Sequence, residues 1–449
     1  MKRILTNITL VVAVAVCGIL RAEAIEPVPD SILNHPEFPE EIALRKALES
    51  THILTAGSMT GVSRDSMNRL ISTFYVDQYR HFQDPRAPYF LYMSKDANLA
   101  MGVGGVIRMR GWYDWGGSIP ANGFAPYLIP IPKNPAQDKR LAATPAGCSI
   151  FLTILGRKTP LGNIMGFVQG GFDGYNNINF KLKKAYVIIN DWTIGYATST
   201  FIDPATQPPT IDGSGPNGFT SKTQVLVRYY KTWRDRWSIG AGVEMPTSQA
   251  DDDNEYTEKT TEYIPDIAVL GQYQWDRGLS HVRLSGLLHF TGYRNLLTGK
   301  NHNLAGLGVQ LSSVIKVLPK LNFFGQAIFG RGISSYMSDL SIYRFELVPE
   351  VGKPGVLYSP EAFGYTLGLE YYFRPNLYAC AVFGQLRYLP NTNPRDASYK
   401  YGMYSAVNLF YDLTSRFQLG IEYLHGRRMN FDHTHGDANR IDALFQFSF

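Results

Sequence analysis

Along most of this chain apolar and polar residues alternate with a period of two. The last nine residues show it plainly. Ile441, Ala443, Phe445, Phe447 and Phe449 share one face, and Asp442, Gln446 and Ser448 the other. Likewise Trp237, Ile239, Ala241, Val243 and Met245 oppose Arg236, Ser238, Gly240, Gly242 and Glu244. Phe417, Leu419, Ile421 and Tyr423 oppose Arg416, Gln418, Gly420 and Glu422. A period of two is the signature of a strand with two different faces, whereas a helix repeats every 3.6 residues. From residue 97 onward the pattern predicts sixteen strands, at 97–115, 148–158, 162–173, 180–190, 191–200, 220–231, 235–245, 263–275, 278–290, 304–316, 320–331, 361–374, 376–387, 400–411, 414–424 and 438–449.

The connections sharpen this. Tight turns fall at Thr159-Pro160-Leu161, Asn190-Asp191, Lys231–Arg234, Asp276-Arg277-Gly278, Leu318-Pro319-Lys320, Arg374-Pro375-Asn376 and Asp412-Leu413-Thr414. Between them lie the longer stretches 116–147, 174–179, 201–219, 246–262, 291–303, 332–360, 388–399 and 425–437. Short and long connections alternate without exception in this reading. Outer-membrane barrels segregate loops this way, with short periplasmic turns and long external loops. The expected fold is therefore all-β: a closed antiparallel transmembrane β-barrel of about 16 strands over residues 97–449. An open sheet edge would leave backbone groups unsatisfied in hydrocarbon, so the sheet must close. At this strand number a water-filled lumen is expected.

Composition changes the picture at the amino-terminus. Met1–Ala24 has a basic start at Lys2 and Arg3, an apolar run Ile8–Leu20 and an Ala22-Glu23-Ala24 cleavage pattern, which reads as a secretory signal. No later run of eighteen apolar residues occurs, which excludes a helical membrane protein. Residues 25–96 read as a periplasmic extension without barrel character. It is Pro-rich at first, helix-compatible over Glu40–Thr51 and again within Asp65–Tyr79. The 28 Tyr and 25 Phe suit aromatic girdles at both edges of a lipid zone. The formal charge of +5 falls to +3 once residues 1–24 are removed, since three basic residues and one acidic one go with them. That is too weak to argue for nucleic acid. Cys148 and Cys380 read as ordinary small apolar positions, with pairing left open.

Strand parity assigns the inner face. Leu99, Met101, Val103, Ile107 and Met109 point to lipid, which turns Arg108 and Arg110 inward. The same reasoning makes Lys181, Lys183, Arg228, Arg236, Arg283 and Arg387 pore-lining, with Arg416, Arg440 and His289 on the same face. Fewer acids oppose them: Glu244, Asp266, Glu370, Glu422 and Asp442. Two readings stand side by side. Fixed guanidinium groups could form a ladder that concentrates anions, or they could simply satisfy carboxylates across the lumen and stiffen the wall. The loop Ile202–Gly218, with Asp203 and Asp212, either caps the tube from outside or folds into it as a constriction, and a family resemblance favours infolding. Asp251, Asp252, Asp253, Glu255 and Glu258 form an acidic loop cluster without EF-hand order. His425, His433 and His435 gather in the last long loop, and exposed loop histidines are the ordinary reading. No metal site, cofactor or enzyme activity is expected.

Two stretches resemble one family. Lys183-Lys184-Ala185-Tyr186-Val187, then Trp192–Asp203, Pro208-Pro209-Thr210-Ile211-Asp212 and Gly215-Pro216-Asn217-Gly218, are similar to a strand-and-loop signature of the DcaP-type trimeric outer-membrane porins. Gly420–Arg428, Gly436–Arg440 and the terminal Phe449 resemble that family's last hairpin. The resemblance implies a homotrimeric sixteen-stranded porin in the outer membrane of a Gram-negative bacterium, taking up small, mostly anionic molecules such as dicarboxylates. It also implies a longer helical extension than this chain offers. Ile150, Met165 and Gly171 stand where the family would carry charge. The expected function is passive diffusion of small hydrophilic, anionic solutes, with lipid and a second and third copy of the chain as partners. The alternatives are an adhesin or structural barrel without transport, and a barrel enzyme using His289, His302 or His425 at the outer rim.

Overall fold

The computed structural model describes residues 52–55, 90–93, 99–119, 121–173, 178–234, 236–250, 255–275, 280–391, 398–414 and 416–449. The expected leader, both candidate helices and Asp251–Asp253 lie outside these residues.

Sixteen strands form the barrel: β1 (Leu99–Trp115), β2 (Ser149–Thr159), β3 (Gly162–Asp173), β4 (Asn179–Ile189), β5 (Trp192–Thr198), β6 (Thr223–Trp233), β7 (Trp237–Glu244), β8 (Asp266–Trp275), β9 (Ser280–Asn295), β10 (Lys300–Leu318), β11 (Leu321–Arg331), β12 (Glu361–Arg374), β13 (Leu377–Leu389), β14 (Tyr399–Asp412), β15 (Phe417–Asn430) and β16 (His435–Ser448). Each pairs antiparallel with its neighbours in sequence. The ring closes where β16 meets β1, with Ile441 opposite Tyr113 and Phe445 opposite Met109. Phe449 finishes this seam. Gly105 N donates to Phe449 O at 2.7 Å, and Phe449 N to Gly105 O at 2.9 Å. Closure leaves no sheet edge to lipid, the condition hydrocarbon imposes.

The outer face is apolar as the alternation requires: Leu99, Ile239 and Phe445 are all exposed there. Aromatic pairs mark both rims. Trp192 and Tyr229 lie 5.1 Å apart and Trp237 and Tyr273 4.7 Å apart at the periplasmic rim. Trp115 stacks on Tyr423 at 6.0 Å at the outer rim. Amphipathic rings settle at such boundaries.

Three expectations are corrected. First, the loops do not alternate strictly. The turns 296–299 and 431–434 are four residues long, because β9–β10 and β15–β16 run on as hairpins above the membrane. Their upper parts are polar on both faces, so the alternation fades although the ladder continues. Second, the region before 97 is not wholly separate. Phe90–Met93 pairs antiparallel with Ala100–Val103 of β1, and His52–Thr55 pairs parallel with Phe90–Met93. A continuous apolar run such as Phe90-Leu91-Tyr92-Met93 gives no period to read. Third, the interior is not uniformly wet. Phe201, Ile333, Tyr336, Met337 and Leu340 form one inner apolar cluster. Ile119, Phe124 and Ile129 form another with Tyr404 and Leu424. The clustered loop residues come from the first, third and sixth external connections (L1, residues 116–148; L3, 199–222; L6, 332–360), which fold inward.

Cys148 and Cys380 are both free. The Cys148 thiol accepts from Arg108 N at 3.2 Å. Reduction is therefore expected to leave the mobility of the denatured chain on a gel unchanged; a shift would contradict this arrangement.

Candidate pore constriction

L3 crosses the lumen and is held at both walls. Its neck closes where Ser199 N donates to Lys222 O at 3.1 Å. At the β9–β10 wall, Asp203 accepts from Ser312 Oγ at 2.7 Å, meets His281 Nε2 at 2.8 Å and lies 3.5 Å from the Arg283 guanidinium. Burial alone would raise the Asp203 pKa, but Arg283 and His281 hold the carboxyl well below the usual range. The loop then passes over β12 and β14, where Asn408 Nδ2 donates to Pro209 O at 2.8 Å. On the far wall, Glu422 takes two backbone hydrogen bonds, from Ile211 N at 3.0 Å and Asp212 N at 2.7 Å. Asp212 pairs with Arg110 at 3.1 Å and accepts from Phe124 N of L1 at 2.9 Å. Arg108 Nη2 donates to Ile211 O at 2.7 Å.

The trough that receives L3 is made of glycine. A Cβ on Gly368 would meet Pro208, one on Gly384 would meet Asn217 O, and one on Gly420 would meet Ile211. All three face inward. Glycine inside a strand often marks such a close approach of another backbone. Gly218, at φ +82°, closes the loop against the carbonyls of Tyr365 and Gln385. L3 and L6 meet at Asp339, which accepts from Asn217 Nδ2 at 3.2 Å and Tyr399 OH at 3.0 Å. Burial pushes its pKa up to about 6 despite these two donors.

The residues singled out from sequence thus divide. Arg110, Arg228, Arg283, Glu370 and Glu422 do point inward, but they are almost fully buried beneath the folded loops instead of facing an open bore. Arg228 donates to Thr198 O at 3.1 Å, and Glu370 accepts from Asn322 at 2.9 Å. Together with the Arg440–Asp114 pair at 2.6 Å, Arg110 and Arg283 follow the wall-stiffening reading. Arg108 is only partly buried beside L3. Lys181 and Lys183 lie toward the outer end of β4, where Lys181 is exposed and Lys183 sits 3.9 Å from Asp173. Arg236 lies in the periplasmic turn before β7. Arg387 is a correction. Cys380, Val382 and Leu386 of β13 are the buried, inward residues, so Arg387 has the opposite parity and is exposed on the outer surface. Its strand carries apolar residues on both faces, which hid the parity.

His281, Ser312 and Asn408 were not singled out from sequence, nor was the infolding of L1 and L6. The inward glycines of β12–β15 were the available signal. His289 is buried between Asp266 at 2.8 Å and Glu346 of L6 at 3.5 Å. Burial favours the neutral acid, yet His289 brings Glu346 down to about 2. Of the other rim histidines, His302 stacks on Tyr293 at 5.1 Å and His425 faces outward beside Asn439. Among the described residues no cluster of His, Cys, Asp or Glu has metal-holding geometry.

A sixteen-stranded closed barrel with an infolded, doubly anchored third loop is the architecture of an outer-membrane channel. The chain matches the model of the DcaP outer membrane protein family over residues 93–314. Its localisation is the outer membrane. Among solved structures it is similar to the outer membrane channel DcaP of Acinetobacter baumannii, with a TM-score of 0.66 and 20% identity over 79% of this chain and 98% of that one. It is also similar to the anion-selective porin from Comamonas acidovorans, with a TM-score of 0.51 and 12% identity over 78% of this chain and 100% of that one. At these identities the likeness concerns the fold. No curated protein sequence matches the chain.

Proposed function

We propose that this channel is a passive diffusion porin with a mild preference for small hydrophilic anions. The observation that carries the reading is the distribution of cations left near the water path. Arg110, Arg283 and Arg440 are matched to buried carboxylates. Lys181 at the outer mouth and Arg236 at the periplasmic mouth stay accessible, with Arg108 between them beside L3. Cations at the mouths of a low-dielectric tube raise the local anion concentration without binding tightly. The anion-selective porin of similar fold supports the same direction.

Planar-bilayer reversal potentials in a salt gradient test this. Wild type is expected to favour chloride over potassium by a few-fold. The Arg108→Gln/Lys181→Gln/Arg236→Gln variant should move toward no preference. Cation selectivity in wild type, or no conductance, would overturn the proposal.

The same reading includes a homotrimer and removal of residues 1–24. Support for the trimer comes from the outer face of β2–β4. It carries Ile150, Leu152, Ile154, Ile164, Val168 and Val187, and no Trp or Tyr. Phe172 and Phe180 lie near its outer end with rings 5.3 Å apart, but the amphipathic Trp and Tyr of a headgroup boundary are missing there, as on a face covered by protein instead of lipid headgroups. The mass of the detergent-solubilised channel and its first residue check both points.

A further inference from the structure

The outward position of Arg387 belongs to a regular pattern. Arg331 ends β11, Arg387 lies near the outer end of β13, and Arg427 near that of β15. All three share strand parity with exposed lipid-facing residues, namely Phe329, Leu389 and Tyr423. Their register is also regular. Following the ladder two strands on from Arg331 leads through Glu361 to Leu389, and Arg387 stands two residues before it. Two strands on from Arg387 the ladder leads through Tyr401 to Met429, and Arg427 again stands two residues before it.

This stagger places the three at one height. The ladder climbs around the barrel. From His281 near the periplasmic start of β9 it runs by successive partners to Arg440 and Asp114, near the outer end of β1. Strands tilted by about 40° and about 4.8 Å apart lift the ladder by about 6 Å over two strands. Stepping back two residues lowers it by about 5 Å, so the two displacements nearly cancel. Three guanidinium groups therefore form an arc over the β11–β15 part of the rim. Directly below lie the aromatic residues of the lipid face, including Phe363 and Tyr365 with rings 5.9 Å apart.

Local partners do not consume these charges. Arg331 Nε donates to Ser359 O at 3.2 Å, and Arg387 Nε to Gln385 at 3.1 Å while lying 5.3 Å over the Tyr401 ring. Neither forms an ion pair among the described residues. Arg427 pairs with Asp437 at 2.6 Å and keeps a half-exposed side chain. A planar fork of donors at the headgroup level, above an apolar band, suits one kind of partner. We propose that the arc binds the phosphate groups of the outer leaflet's glycolipid, lipopolysaccharide, with its acyl chains on the aromatic and aliphatic surface beneath.

The test uses the full purified channel in detergent, with bisphosphorylated lipid A as probe and native mass spectrometry as readout. Wild type is expected to bind it at least about tenfold more tightly than the Arg331→Gln/Arg387→Gln/Arg427→Gln variant. Dephosphorylated lipid A should bind wild type about as weakly as the triple variant binds the phosphorylated form. Conductance and thermal unfolding should be unchanged, and the single Arg387→Gln variant carries the comparison if the triple fails to accumulate. Equal binding by wild type and variant, or indifference to the phosphates, would overturn the proposal. So would an altered oligomeric mass in the variant, which would assign this face to protein contact.

Discussion

Replacing Arg110 by alanine is expected to destabilise the channel by about 3–5 kcal/mol, the usual result of removing one partner of a buried ion pair. Arg110 is 4% and Asp212 3% exposed, so the carboxylate left behind could not reach water without moving L3. The loss should appear as a lower denaturant midpoint in detergent. The double variant Arg110→Ala/Asp212→Ala should recover much of it, because the stranded charge is then gone. If the double variant were as unstable as the sum of the two singles, the pair would not be the clamp described. Arg108→Gln makes the useful contrast. It donates to a carbonyl at the partly buried edge of L3, so selectivity should change more than stability.

The second large effect is expected at the glycine trough. Gly384→Val would drive a branched side chain into Asn217 O, where even a Cβ has no room. The strand cannot move without breaking its ladders to β12 and β14, so L3 must lift. Overpacking of this kind costs about 1–3 kcal/mol. Release of the Asn217 contacts to Thr366 and Asp339 should add to that. The outcome to measure is single-channel current. A barrel that still closes, but whose L3 no longer sits on the β12–β13 wall, should show a larger and noisier conductance than wild type. Unchanged current with an unchanged unfolding midpoint would show that L3 does not rest where the glycines place it.

How far the chain could be read before folding depended on whether a residue's neighbours are local or distant. Strand existence and parity are local. Trp237–Glu244 and Phe417–Tyr423 alternate because one side meets lipid, and every one of the sixteen strands was found near its expected place. The third loop was visible as a Pro- and Gly-broken stretch too long for a turn, but its folding inward was expected mainly from the family resemblance. What it touches was not legible, because Asp203 meets His281 and Asp212 meets Arg110 across separations that no period encodes. The inner charges misled for the same reason. Parity shows that Arg228 and Arg283 point inward, but not that the chain entering L3 will pack on them. Arg387 failed on parity itself, since Ala381, Val382 and Phe383 offer no polar face for contrast. The hairpin tops around 296–299 and 431–434 failed because a strand above the membrane has water on both sides.

The seam between the first and last strands fixes the order of events during biogenesis. Gly105 finds its hydrogen-bonding partner only in Phe449, just past the end of the last barrel strand. Until that residue has crossed the inner membrane, one edge of β1 has no mate along half its length, and a loop of more than 300 residues separates the two edges. Contacts this remote form slowly, and an open edge invites foreign strands in the meantime. The nascent chain must therefore be chaperoned as an unsealed sheet, and removal of Phe447, Ser448 and Phe449 should leave it there, a substrate for proteolysis and never a channel.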